Sequence, residues 1–220
     1  MARLARVVVP GIPHHVTQRG VRRMQTFFED RDYATYLSLL AEWCQKCGIE
    51  IWVYCLMPNH VHLIAVPERE DSLARGIGEA HRRYTRHINR RQEWKGYLWQ
   101  GRFASYPMDE RYLLAATRYV ELNPVRARLV ERAEVWKWSS AKAHLEGKDD
   151  GLVKVAPMLN WVRDWSDLLG SDEQPEYDNF RQHERTGRPF GDEAFVERIS
   201  QLTGRELAMK RPGRKKVSEE

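Results

Sequence analysis

IEIWVYCLMPNHVHLIAVP, residues 49–67, holds two β-rich runs joined at Pro58-Asn59 and closed by Pro67. A turn pair between two such runs reads as a hairpin. In a strand, side chains two apart share a face, so His60 and His62 project together while Val61, Leu63 and Ala65 face the other way. Two neutral imidazoles side by side are half of a metal site. Histidine pairs also occur in strands as hydrogen-bonded, half-exposed residues, and the spacing alone leaves both readings open.

Working outward, residues 5–19 read as an extended opening segment interrupted by Pro10, Gly11 and Pro13, with His15 and Thr17 on one face and Val16 on the other. Tyr36, Leu39, Leu40 and Trp43 then show the spacing of an amphipathic helix, stopped at Gly48. Beyond the hairpin, Asp71-Ser72 opens a long helix with Leu73, Ile77, Ala80, Tyr84 and Ile88 on its apolar stripe and arginines on its other faces. GRFASYPM supplies another strand. Asp109 caps a further helix, expected to end near Asn123 because the residue before Pro124 is disfavoured in the helical region. The order β-α-β-β-α-β-α matches an α+β, ferredoxin-like (split βαβ) antiparallel sheet with helices on one face and one helix appended. Residues 1–146 form this domain. The GKDDG segment at 147–151 marks its boundary with a small helical extension, 147–220.

The chain has 220 residues, a formal charge of +5 and a pI near 9.1. The charge is unevenly placed. Asp71 to Arg132 carries 13 Lys+Arg against 7 Asp+Glu, interleaved with aromatics, whereas Glu146 to Glu197 carries 6 against 13. Arginines neutralise phosphates and rings stack on unpaired bases, so the basic part suits nucleic acid; a solvated surface over core aromatics is the other reading. The acidic extension either packs on the basic part and regulates access or completes the fold. Cys44, Cys47 and Cys55 make no secreted disulfide framework and read as buried or half-buried thiols of a reducing cytoplasm. No apolar run approaches a membrane span.

A metal needs more than two ligands. On the last helix Tyr112, Ala116, Tyr119 and Asn123 lie in one arc beside the packing stripe Leu113, Thr117 and Val120. Tyr119 is thereby a candidate nucleophile and the Asn123 amide a candidate third ligand, although spacing does not choose among the tyrosines. Such a divalent ion could take a hard phosphate oxygen and polarise a scissile phosphate. Phenolate attack would leave a phosphotyrosine that conserves bond energy for rejoining, which is strand transfer rather than hydrolysis.

The motifs HHVTQRG, PNHVHLI, LWQGRFASY, RYVELNPVRA and WKWSS, in this order, resemble the HUH single-tyrosine transposases, in particular the REP-associated tyrosine transposases, over residues 5–145. The resemblance implies that His60 and His62 bind the catalytic Mg²⁺ or Mn²⁺ and that Tyr119 is the nucleophile. The third ligand falls on Asn123, where related transposases commonly carry glutamine. It further implies a single-stranded DNA substrate with a REP-like hairpin, cleaved to a 5′-phosphotyrosine and a free 3′-OH. Arg19, Arg82, Arg83, Arg86, Arg102 and Arg126 are the candidate DNA contacts. A monomer is expected, with a dimer, as in the insertion-sequence branch, the alternative. PGRKK, residues 212–216, resembles a degenerate AT-hook; an untethered basic tail is the other reading. Two rival functions remain: a non-catalytic hairpin-binding protein on the same scaffold, and a metal-dependent nucleotide hydrolase. The histidine-triad form of the latter needs a third alternate histidine, where this chain has Ile64.

Overall fold

The computed structural model describes residues 5–171 and 177–208; the basic tail with PGRKK lies outside the described residues. Four strands form one sheet: β1 (His14–Arg19), β2 (Ile49–Met57), β3 (His60–Pro67) and β4 (Ala104–Pro107). Their spatial order is β2-β3-β1-β4 with every neighbouring pair antiparallel, which is the ferredoxin-like arrangement. The β2–β3 hairpin turns at Pro58-Asn59, as its sequence indicates.

Helices α1 (Asp30–Cys47) and α2 (Ser72–Arg91) cover one face of the sheet. The α1 stripe buries Tyr36, Leu40 and Cys44, and all five stripe residues of α2 are fully buried, against Val16, Val61, Leu63 and Ala65 of the strands. Removing this much apolar surface from water is the main stabilising term of the fold. A capping box between Glu29 and Asp32 starts α1, and Gly48, at φ 63°, ends it in a left-handed conformation that favours glycine. The Asp32 carboxylate is fully buried and is gripped by both terminal nitrogens of Arg91, clasping the start of α1 to the end of α2. All three cysteines are buried and free, as their context suggests.

Helix α3 (Glu110–Glu121) lies on the opposite face, with Leu113, Ala116 and Val120 packed on Val53, Cys55, Ile64 and Tyr106. Asp109 caps it by accepting from the Tyr112 amide at 2.9 Å. The expected stop before Pro124 differs in detail. The helix breaks at Leu122, and Asn123–Arg126 forms one more turn, α4. Pro124 stands in the first turn of α4, where its missing N–H would have had no intrahelical partner in any case.

After α5 (Ala141–Glu146) the chain returns to the same two cores. Val153 bridges in parallel to Ile51 and is buried with the α1/α2 face. Helices α6 (Ala156–Leu159), α7 (Trp165–Gly170) and α8 (Tyr177–Thr186) bring Met158, Trp165 and Phe180 onto the α3 face. Helix α9 (Glu193–Thr203) closes a smaller cluster in which Phe195 and Ile199 meet Val7 and Val9. Among the described residues no helix is long and apolar enough to cross a membrane.

Candidate active site and nucleic-acid interface

The register of the sheet assembles the site. Thr17 pairs with His62 and Arg19 with His60 across β1–β3, while His15 pairs with Tyr106 across β1–β4. His15 therefore sits two residues diagonally from His62, within reach for long side chains on one face. Val61 and Leu63, which alternate with the histidines, are fully buried on the opposite face.

His60 and His62 project together, their ring centres 5.0 Å apart and nearly perpendicular. Tyr119 comes from α3 to the same place: its ring centre lies 5.4 Å from that of His62, edge to face. The Arg126 guanidinium lies 4.5 Å over the Tyr119 ring and donates to the Tyr119 carbonyl at 2.6 Å. Asn123 is nearly buried, one turn beyond Tyr119 across the break at Leu122.

Each histidine has one ring nitrogen engaged. His60 Nδ1 is 2.6 Å from Asn59 Oδ1, and Asn59 Nδ2 donates to the Arg23 carbonyl at 3.0 Å. His62 Nδ1 is 3.0 Å from His15 Nε2, and His15 Nδ1 is 2.6 Å from the Tyr106 hydroxyl. The remaining nitrogen, His62 Nε2, is buried with no hydrogen-bond partner among the described residues. A buried polar atom without a partner is costly, and a lone pair held in this way suits a ligand. Burial also keeps the imidazoles neutral, the form that binds metal. It drives His60 down to about 3, helped by Arg19, and drives His62 well below its ordinary value, helped by His60, His15, Arg19 and Arg126. The donor set therefore fits a divalent cation.

A cleft of about 320 Å³ opens at this point, lined by Gln18, Arg19, His60, His62, Arg102 and Glu184 among others. Gln18 and Arg102 also line a groove that continues past Arg82, Arg86 and the 88 % exposed Tyr97. Of the candidate DNA contacts, Arg19 and Arg102 thus line the same cleft as the histidines, Arg126 reaches Tyr119, and Arg82 and Arg86 line the neighbouring groove that shares Gln18 and Arg102 with it. Arg83 diverges. Both Arg82 and Arg83 pair with Glu79, but Arg83 also packs 4.7 Å over the Trp43 ring of α1.

Sequence reasoning missed four residues here. Asn59 was legible only as a turn former and His15 only as a strand residue. Phe180, which stacks on Tyr119 at 5.0 Å and 12°, and Glu184, whose donor atom lies within 4.8 Å of those of His15 and His62, come from α8, far along the chain. Only the register and the tertiary path of the extension reveal them.

The IS200-like transposase family matches residues 9–123. Among solved structures, a REP-associated tyrosine transposase bound to a REP hairpin shares the fold with a TM-score of 0.58 at 20% identity, covering 70% of this chain and 90% of that one. A putative transposase from Deinococcus radiodurans R1 gives a TM-score of 0.38 at 20% identity, covering 55% of this chain and 96% of that one. No curated protein matches. A match that runs from the approach to β1 through Asn123 takes in both histidines, Tyr119 and more than half of the sequence, and the chain belongs to the IS200-like transposase family.

Proposed function

We propose that this protein is a REP-associated-type transposase that nicks and rejoins single-stranded DNA bearing a REP-like hairpin, through a 5′-phosphotyrosine on Tyr119. One observation carries this reading: the nucleophile candidate stands beside His62, whose buried Nε2 has no partner among the described residues and which with His60 lines an arginine-bearing cleft.

His60 and His62 would hold a divalent cation, Mg²⁺ or Mn²⁺, with Asn123 the proposed third ligand. When bound, such an ion polarises the phosphate and offsets charge developing on it. The chain's own residues do the rest. Arg19 and Arg102 draw the DNA backbone into the cleft. Arg126, over the Tyr119 ring, favours the phenolate needed for attack. The Tyr119 oxygen bonds to phosphorus as the bond from phosphorus to the 3′-oxygen breaks; that oxygen takes a proton and leaves as 3′-OH. Attack by a 3′-OH on the phosphotyrosine reverses these bond changes and joins strands. The groove past Arg82 and Arg86 accommodates the flanking DNA, with Tyr97 exposed for base stacking. The protein acts as a monomer.

The test is a denaturing gel of the full chain with labelled single-stranded hairpin DNA from repeats flanking its own gene, with Mn²⁺ or with chelator. A metal-dependent protein–DNA adduct is expected. Tight binding without adduct or nick, across metals and several hairpins, would instead establish the hairpin-binding module, and release of free nucleotide without adduct the hydrolase.

A further inference from the structure

His15, His62 and Glu184 place one donor atom each within 4.8 Å of one another, which allows two roles for His15: ligand, or support behind a ligand. The ring geometry separates them. The His15 and His62 planes are within 15° of parallel and their centres are 5.2 Å apart. That separation is about the 3.0 Å between His15 Nε2 and His62 Nδ1 plus a ring radius at each end, so both nitrogens lie near the line joining the ring centres. In an imidazole the lone pair and the N–H bond both point outward in the ring plane. Two lone pairs directed at one ion would converge off that line, whereas a donor and an acceptor face each other along it.

We propose that His15, itself held by Tyr106, is a positioning residue for His62: it accepts the His62 Nδ1–H bond and thereby commits His62 Nε2 to the metal. This rests on the reading of His60 and His62 as metal ligands. The proton assignments follow in series. If His62 Nδ1 carries hydrogen, His15 Nε2 is the acceptor, and neutral His15 carries its hydrogen on Nδ1 and donates to the Tyr106 oxygen at 2.6 Å. His62 Nε2 then holds a lone pair, and it is the nitrogen left without a partner. The reverse assignment would place a buried N–H there, which has no lone pair to offer a cation.

His60 independently follows the same logic. The Asn59 amide is oriented by its own bond to the Arg23 carbonyl, so the atom facing His60 Nδ1 is its oxygen. Nδ1 of His60 must donate, which again leaves Nε2 for the ion. Partners of this kind fix the tautomer and ring orientation of metal-binding histidines, and their loss weakens metal affinity. The two ligands are supported by unlike means: His60 by its sequence neighbour, and His62 by a residue 47 positions away, joined to it only through strand pairing.

The test uses the full chain without DNA. Mn²⁺ affinity is measured by electron paramagnetic resonance for the wild type, His15→Phe, His15→Gln, Tyr106→Phe and, as control, His62→Ala, with thermal melts confirming folding. His15→Phe keeps a ring but no acceptor and is expected to lose about 10–100-fold in affinity. His15→Gln, whose side-chain oxygen can still accept, is expected to recover most of that, and Tyr106→Phe to lose less than His15→Phe. Nitrogen-15 spectra of the metal-free wild type should show His62 protonated at Nδ1, and pulsed resonance of the Mn²⁺ form should count two coupled imidazoles. Three coupled imidazoles, an Nε2-protonated His62, or His15→Phe binding Mn²⁺ as the wild type does would overturn the proposal while leaving the metal site intact. An unaffected His62→Ala would overturn the metal reading, and this inference with it.

Discussion

The two faces of one sheet do different work with the same strands. On the α1/α2 face, Val16, Val61 and Leu63 meet helices over a core that is almost wholly apolar and aromatic: the Tyr84 hydroxyl donates to the Thr26 carbonyl at 2.7 Å and the Tyr36 hydroxyl is 2.8 Å from His81 Nε2, while the indole nitrogens of Trp43 and Trp99 have no partner among the described residues. On the α3 face, the residues alternating with these are His15, Thr17, His60, His62 and the apolar Ile64, and His62 Nε2 has no partner among the described residues. Both sides bury an apolar core, the larger one on the α1/α2 side. The other side carries the polar groups that chemistry requires, and the period of two in a strand keeps them apart.

The largest expected effect contrasts the same substitution on the two faces. Tyr119→Phe should lower adduct formation at least ~10⁴-fold, a loss expected when a nucleophile is removed, with hairpin binding and melting temperature kept. Tyr84→Phe should leave cleavage unchanged and cost about 1–3 kcal/mol, because it strands the Thr26 carbonyl. A Tyr119→Phe protein that still forms adduct would assign the attack to another tyrosine. Next in size, Leu63→Ala on the apolar face should cost about 2–5 kcal/mol in urea unfolding with little change in cleavage per folded molecule. An equal loss of both would mean that the faces are mechanically coupled.

Acid should weaken the α1/α2 side through two histidines outside the proposed ligand set. Burial holds His14 at about 4, opposed by its bond to Ile12 and aided by Arg6, and holds His81 at about 3, again aided by Arg6. Both lie below the unfolded value of 6.5, so the stability they confer is present above pH 6.5 and lost as pH falls from there toward their folded values. Between pH 7 and pH 5 each should cost roughly 2 kcal/mol, read as a falling urea midpoint, and His81→Gln should flatten the dependence. The smallest effect distinguishes arginines within one helix. Removing Arg82 and Arg86 together should reduce the salt slope of DNA binding by about 1–2, whereas removing Arg83, which packs on Trp43, should change it by less. Equal slopes would place the DNA elsewhere.

Much of this was legible because it is local. The hairpin, both long helices and the Asp109 cap follow from periodicity and turn chemistry, and the strand period alone puts His60 and His62 on one side. Along β2 the pattern is harder to read: an irregularity between Ile51 and Val53 swaps the faces, so that Ile49 and Ile51, then Tyr54 and Leu56, point toward α1 and α2. That shift blurs the alternation of IEIWVYCLM. The roles of His15, Phe180 and Glu184 were not legible, because each depends on a pairing register or on where a helix more than 110 residues from the hairpin comes to rest. Arg83 shows the converse, since a composition argument groups it with its neighbours and only packing separates it.

Glu121 stands two residues beyond Tyr119 with a fully buried side chain, accepting from Ser140 Oγ at 2.6 Å and from Trp165 Nε1 at 2.8 Å, with His144 Nδ1 2.7 Å away. All three partners come from sequence beyond residue 123, where the family match ends. A fragment cut there would keep the carboxylate and discard every group that holds it; one cut at residue 146 would still discard Trp165. The stretch that the family model recognises is therefore smaller than the set of residues that houses this acid, and replacing the C-terminal extension of this chain would require a new socket for it.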